Sequence, residues 1–218
     1  MGFRVVTAPT CEPVTLNEVR LYLRMPDADH ADDDTITQLI TAARQHAESR
    51  MRRQIVQATL EYTLDQFPVG HTATITGAAH QRTSGIRLPH PPLISVTSVK
   101  YIDAAGAEQT LASTVYAVDA KAEPGVVMLA FDKSWPVIRA QASAITITYL
   151  AGYGAATDTT DLQKQAAVPA AVKLAVKMLV AHWYDAGRTP VNVGNIASDL
   201  AHTLDAILAA QGYGSYYE

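Results

Sequence analysis

The chain has 218 residues, 48% of them hydrophobic and 17% charged, and a formal net charge of −4. That length can bury a sizeable core as one domain, or as one domain plus an inserted one, and the composition excludes a disordered chain. The acidic balance argues against a dedicated nucleic-acid binder, which needs a clustered basic face to displace counterions from phosphates. So low a charge fraction leaves more apolar surface than a monomer needs, which favours an oligomer.

The opening MGFRVVTAPT carries no long apolar core, so no signal peptide is expected, and no run approaches the ~20 apolar residues that span a bilayer. Cys11 is the only cysteine, which excludes an intramolecular disulfide and a cysteine-based zinc site. Thr15-Leu16-Asn17-Glu18 reads as a capping box, predicting a short helix through Val19, Tyr22 and Leu23 that stops before Pro26. Asp27 to Asp34 is an acidic loop whose last residues suit the start of another helix. That helix is predicted from Thr35 to Arg53. Ile36, Leu39, Ile40, Ala43, Ala47 and Met51 form one apolar stripe, and Gln38, Arg44, Gln45, Glu48 and Arg52 face the other way. Arg50, Arg52 and Arg53 read as solvated cations on the helix dipole.

The period changes near Gln57. Thr59 to Asp65 alternates as a half-buried strand does. Further strands are predicted over Ala73–Thr76, Ile86–Leu88, Ile94–Ile102, Val115–Val118, Val126–Ala130 and Ala144–Leu150, separated by Gly- and Pro-bearing turns. Gly152 to Asp158 opens a polar loop. A helix resumes at Pro169, with Val172, Ala175, Val176, Leu179, Val180 and Trp183 inward, and ends at Gly187 and Pro190. A last short helix is expected over Ser198 to Ala210.

The fold class implied is α+β, a discontinuous helical bundle interrupted by an inserted antiparallel β domain. Its parts are residues 1–56 (helical), 57–151 (β), 152–210 (helical) and 211–218, a Tyr-rich tail that cannot hold itself in place.

Chemical motifs are weak throughout. Asp29, His30, Asp32, Asp33 and Asp34 offer hard oxygen ligands but lack the calcium-loop pattern, and they read as a solvated loop with a helix cap. There is no GxSxG elbow, no HExxH pair among the seven histidines, and no Walker lysine after Gly152-x-Gly154. No catalytic residue, cofactor-binding residue or metal ligand is assigned, and no enzymatic activity is expected. The aromatics stand apart. Trp183 and Tyr184 point about 100° apart on a helix, and Arg188 lies one turn beyond Tyr184. Trp, Tyr and Arg dominate protein–protein hot spots. Trp183, Tyr184 and Arg188, with Tyr213, Tyr216 and Tyr217 of the tail, are therefore the interface candidates.

In succession the motifs resemble those of the tailed-bacteriophage head–tail connector (adaptor) family. Pro13-Val14-Thr15-Leu16-Asn17-Glu18-Val19-Arg20-Leu21-Tyr22-Leu23 is similar to that family's start. Asp34-Thr35 with Leu39-Ile40, Ala43 and Ala47-Glu48 follows, then Leu88-Pro89-x-Pro91-Pro92-Leu93-x-Ser95-Val96. Ile147-x-Tyr149-x-Ala151-Gly152-Tyr153 leads to Val168-Pro169-x-Ala171-Val172-Lys173 and Trp183-Tyr184-Asp185-x-x-Arg188. The long β segment is similar to the subgroup carrying a β insertion. The resemblance implies a structural virion protein of the neck, assembled in the host cytoplasm, that forms a homo-oligomeric ring, dodecameric in the virion. The ring would sit beneath the portal protein and above a stopper or tail-completion protein, with DNA passing through its lumen without specific binding and no membrane involved. The reading from another class is a monomeric protein-binding module using the β domain; a third is a metal-dependent hydrolase built on Asp32 to Asp34.

Overall fold

The computed structural model of the protein describes residues 2–25, 31–68, 85–186 and 206. It is a mixed α+β structure that divides into two compact units, Met1–Ala8 with Gln57–Gly152 and Pro9–Val56 with Tyr153–Glu218.

The first unit is antiparallel β. Strands β1 (Gly2–Thr7), β2 (Ala58–Leu64), β4 (Leu93–Ile102), β5 (Glu108–Thr110) and β8 (Ile145–Ala151) form a sheet in the order β1-β2-β8-β4-β5. Strands β3 (Ile86–Arg87), β6 (Tyr116–Asp119) and β7 (Val126–Leu129) form a second sheet in the order β3-β7-β6. β8 is central and shows why its sequence makes a strand. Ile145, Ile147, Tyr149 and Ala151 are buried while Thr146, Thr148 and Leu150 between them are half-buried, the period of two that a pleated strand imposes. Leu60 of β2 lies opposite Tyr149, and Val99 of β4 lies opposite Ile147. Ile86, Leu88 and Val127 complete the same core. Each such side chain contributes about 1.5–3 kcal/mol of burial. The one polar atom that Tyr149 brings inside is satisfied, its hydroxyl donating to the Pro89 carbonyl at 2.7 Å.

The second unit is helical: α1 (Leu16–Tyr22), α2 (Asp33–Met51), α3 (Asp161–Ala167) and α4 (Ala170–Ala186). The capping box expected at Thr15 is present. The Thr15 hydroxyl accepts from the Glu18 N–H at 3.1 Å, and the Thr15 N–H donates to the Glu18 carboxylate at 2.7 Å. The α2 stripe is buried at Ile36, Ile40, Ala43, Ala47 and Met51, and it meets Val172, Ala175, Val176, Leu179 and Val180 of α4 in one core. α2 stops where Arg52 turns left-handed, at φ 53°, a position that ends helices. Val168 is extended ahead of Pro169, as a residue before proline must be. α3 and α4 consequently meet at a 100° bend.

Several expectations are corrected. Residues 2–7, counted with the helical part, form β1 and pair with β2 instead. Residues 108–110 form β5 and residues 161–167 form α3, where no element was expected. Arg44, placed on the outer face of α2, is only 6% exposed. Arg53 is not a solvated cation: it is buried, with its guanidinium 5.6 Å from the Tyr153 ring. Ala73–Thr76 and the helix expected over Ser198 to Ala210 lie outside the described residues, apart from Ala206.

Candidate functional site

The interface candidates begin at the end of α4. Its buried stripe runs Val172, Ala175, Val176, Leu179, Val180. Trp183 is the next position in that series and Tyr184 the one after. Both are half-buried and pack on the edge of the helical core. The Trp183 ring meets the edge of His46 on α2, with centroids 5.8 Å apart and planes at 82°, a favoured edge-to-face arrangement. The Tyr184 hydroxyl donates to the Asp32 carboxylate at 2.7 Å. Asp32 is the N-cap of α2, but its side chain makes no capping bond to the helix. It accepts from Tyr184 instead, a charge-assisted bond that joins the end of α4 to the start of α2.

The neighbouring Asp33 is also engaged. It receives both the Nε and Nη2 of Arg20, so α1 is tied to the same turn of α2. Tyr22 at the end of α1 lies under the Lys177 ammonium of α4, 5.9 Å from its ring centroid. Asp32 and Asp33 are thus parts of a three-helix clasp. Among the described residues no group of three His, Cys, Asp or Glu side chains is arranged to hold a metal ion.

A second polar cluster escaped the sequence reading. The Arg44 guanidinium donates to Glu12 at 2.8 Å and to Glu48 at 2.8 Å. Glu48 also accepts from the Gln54 amide at 2.7 Å and from the Ile55 N–H at 3.1 Å. Glu12 further accepts from the Thr41 hydroxyl at 2.9 Å, and its carbonyl accepts from the Gln165 amide of α3 at 2.9 Å. Burial pushes the Glu48 carboxyl up, and the Arg44 charge and the Ile55 N–H pull it back only in part. The arrangement locks the segment before α1, the body of α2, the chain after α2 and α3 into one unit. The signal in the sequence was the Arg44–Glu48 spacing of four; nothing local announced Glu12.

Cys11 is half-buried, its thiol 3.8 Å from the Asp161 carbonyl. Burial and the Asp161 charge push the thiol up, the opposite of what a nucleophilic cysteine requires. Arg188, Tyr213, Tyr216 and Tyr217 lie outside the described residues. The structure therefore brings two of the six candidates to one place, where both already serve contacts within the chain. Replacing Tyr184 by phenylalanine removes the bond to Asp32 and is expected to lower stability by about 1.5–3 kcal/mol. A melting temperature unchanged within error would show that the bond does not hold α4 to α2.

No helix among the described residues is by itself long and apolar enough to cross a membrane. Three solved structures share the fold. A chain of the native gene transfer agent (GTA) virion matches with a TM-score of 0.70 and 20% identity, over 97% of this chain and 95% of that one. A chain in the neck of the empty GTA particle, with C6 symmetry, matches at a TM-score of 0.71 and 20% identity, with the same coverage. A chain in the native GTA neck, with C12 symmetry, matches at 0.63 and 21% identity, over 95% of this chain and 94% of that one. No curated protein matches the chain in sequence. The model of the head completion protein family matches residues 12–190, from the acid that pairs with Arg44 to beyond the end of α4. The connector resemblance read from the motifs is borne out by that match: the chain belongs to the head completion protein family.

Proposed function

We propose that the protein is a structural component of a virion neck, a head–tail connector of the adaptor type. It forms a ring beneath the portal, joins the portal to the stopper or tail, and leaves a lumen for DNA. The observation that carries this reading is the family match over residues 12–190. The shared fold with chains of C6- and C12-symmetric GTA necks supports the ring. In this reading the α+β chain is a discontinuous helical bundle carrying an inserted β domain, to which the first strand is contributed from the N-terminal side. Its role is mechanical and needs neither catalysis nor a cofactor. A net charge of −4 suits a channel through which phosphates slide, because basic contacts are what hold DNA. Trp183, Tyr184 and Arg188, with Tyr213, Tyr216 and Tyr217, remain the proposed contacts to a neighbouring subunit or the portal.

Electron microscopy of the full chain mixed with heads bearing the cognate portal tests this. The expected result is a closed ring of added density below the portal, and tails attach only to heads that carry it. A chain that stays monomeric beside such heads, as measured by mass photometry, overturns the reading.

A further inference from the structure

Helix α4 is apolar on more sides than its core uses. Of its 17 residues only Lys173, Lys177, His182 and Asp185 carry a charged or imidazole group. One stripe, from Val172 to Val180, faces the core shared with α2. Ala170, Leu174, Met178 and Ala181 recur at spacings of three and four and form a second apolar row. Leu174 is 41% exposed and Ala170 is exposed, while Met178 and Ala181 are half-buried. Tyr22 of α1 stands at one rim of that row, its ring under Lys177. A helix that is apolar all round is a buried helix, so the second row calls for a cover beyond α1 and α2.

The chain continues past α4 with a segment of matching pattern. Ser198 to Ala210 places Leu200, Leu204, Ile207 and Leu208 on one side of a helix. Ala206, which is helical and exposed, falls on the opposite side. Leu174 and Ala181 are seven residues apart, as are Leu200 and Ile207. In an antiparallel pairing Leu200 therefore meets Ala181 when Ile207 meets Leu174. At about 1.5 Å per residue the segment would be about 20 Å long and α4 about 25 Å. The connection between them, about 11 residues with Gly187, Pro190 and Gly194, reaches at most ~40 Å. Packed helices need their axes only about 8–10 Å apart. The charges are of opposite sign, with Lys173 and Lys177 bordering the α4 row and Asp199 and Asp205 bordering the segment's stripe.

We propose that residues 198–210 fold back on their own chain and pack antiparallel on the Ala170 to Ala181 row of α4. A segment on so short a tether meets its site at an effective concentration of roughly millimolar, which a second copy in dilute solution does not match. The packing brings Ala210 to the start of α4. Tyr213, Tyr216 and Tyr217 then leave the helical unit at the bend between α3 and α4, the end opposite Trp183 and Tyr184. The candidate contact residues thus divide into two patches, one at each end of α4. What those patches touch rests on the connector reading; the packing itself does not.

The test is made on the full chain in a Cys11→Ser background, with circular dichroism melts to check folding. The thiol of Leu174→Cys is labelled with a maleimide, with and without Leu204→Asp and Leu208→Asp. The two aspartates are expected to speed labelling about tenfold or more by releasing the cover. Separately, Leu174→Cys with Ile207→Cys is treated with a short bismaleimide linker at low protein concentration, and linked monomers are expected on a denaturing gel. Equal labelling rates overturn the inference, and so does the absence of any linked product. Covalent dimers in place of linked monomers also overturn it, because the cover then comes from a second copy. Neither readout requires a ring or a portal, so either result leaves the connector reading to its own test.

Discussion

Arg44→Ala is expected to destabilise the protein by about 3–5 kcal/mol, the range for removing one partner of a buried ion pair. At about 2–4 °C per kcal/mol for a chain of this size, the melting temperature should fall by roughly 10 °C. The Arg44 side chain is 8% exposed, and its two partners, Glu12 and Glu48, are 25% and 13% exposed. Deleting the guanidinium leaves two carboxylates facing each other with little water to screen them. Glu48→Gln should cost far less, because glutamine keeps the acceptor for Gln54 and Ile55 and removes a charge that burial already disfavours. Thermal melts followed by circular dichroism check both. If the two variants melt together, the cluster is not organised around Arg44.

The second large effect belongs to the β unit. Ile147→Ala should cost about 2–5 kcal/mol, the usual range for emptying a buried isoleucine site. Ile147 is fully buried on β8, the strand that pairs with β2 on one side and β4 on the other. A cavity there loosens both neighbours at once. Thr148→Ala, one residue along, is half-buried and points to the other face; its expected cost is below about 1 kcal/mol. Equilibrium unfolding in urea separates the two. Equal losses would mean that the register through β8 is wrong.

These two sites mark the limits of what the sequence discloses. β8 was legible because a central strand with one buried face must alternate, and Ile145, Ile147 and Tyr149 do. α2 and α4 were legible for the corresponding helical reason. β1 was not, because GFRVVT has no alternation to read: its place is set by pairing with β2, more than fifty residues away in sequence. β5 is three polar residues held by β4. α3 buries no residue, so it carries no apolar stripe, although the Thr160-x-x-Gln163 capping box announced its start. Arg44 was misread because a periodic stripe ranks residues by polarity, and only the distant Glu12 makes an inward arginine tolerable. Trp183 was correctly placed at the end of the α4 stripe. The partner of Tyr184, Asp32, lies across the fold and leaves no trace in local spacing.

The pairing of α2 with α4 has a consequence for synthesis. Some 120 residues separate the end of α2 from the start of α4, and a ribosome adds about 5–20 residues per second. The Ile36–Met51 stripe therefore emerges roughly ten seconds before its cover does. Over that interval only α1 and the segment before it are present to cover part of that apolar helix face, while β1 likewise waits for β2. Newly made subunits on neighbouring ribosomes are then best able to exchange helices with each other, so slow translation past residue 51 should favour tangled dimers over correctly closed single chains.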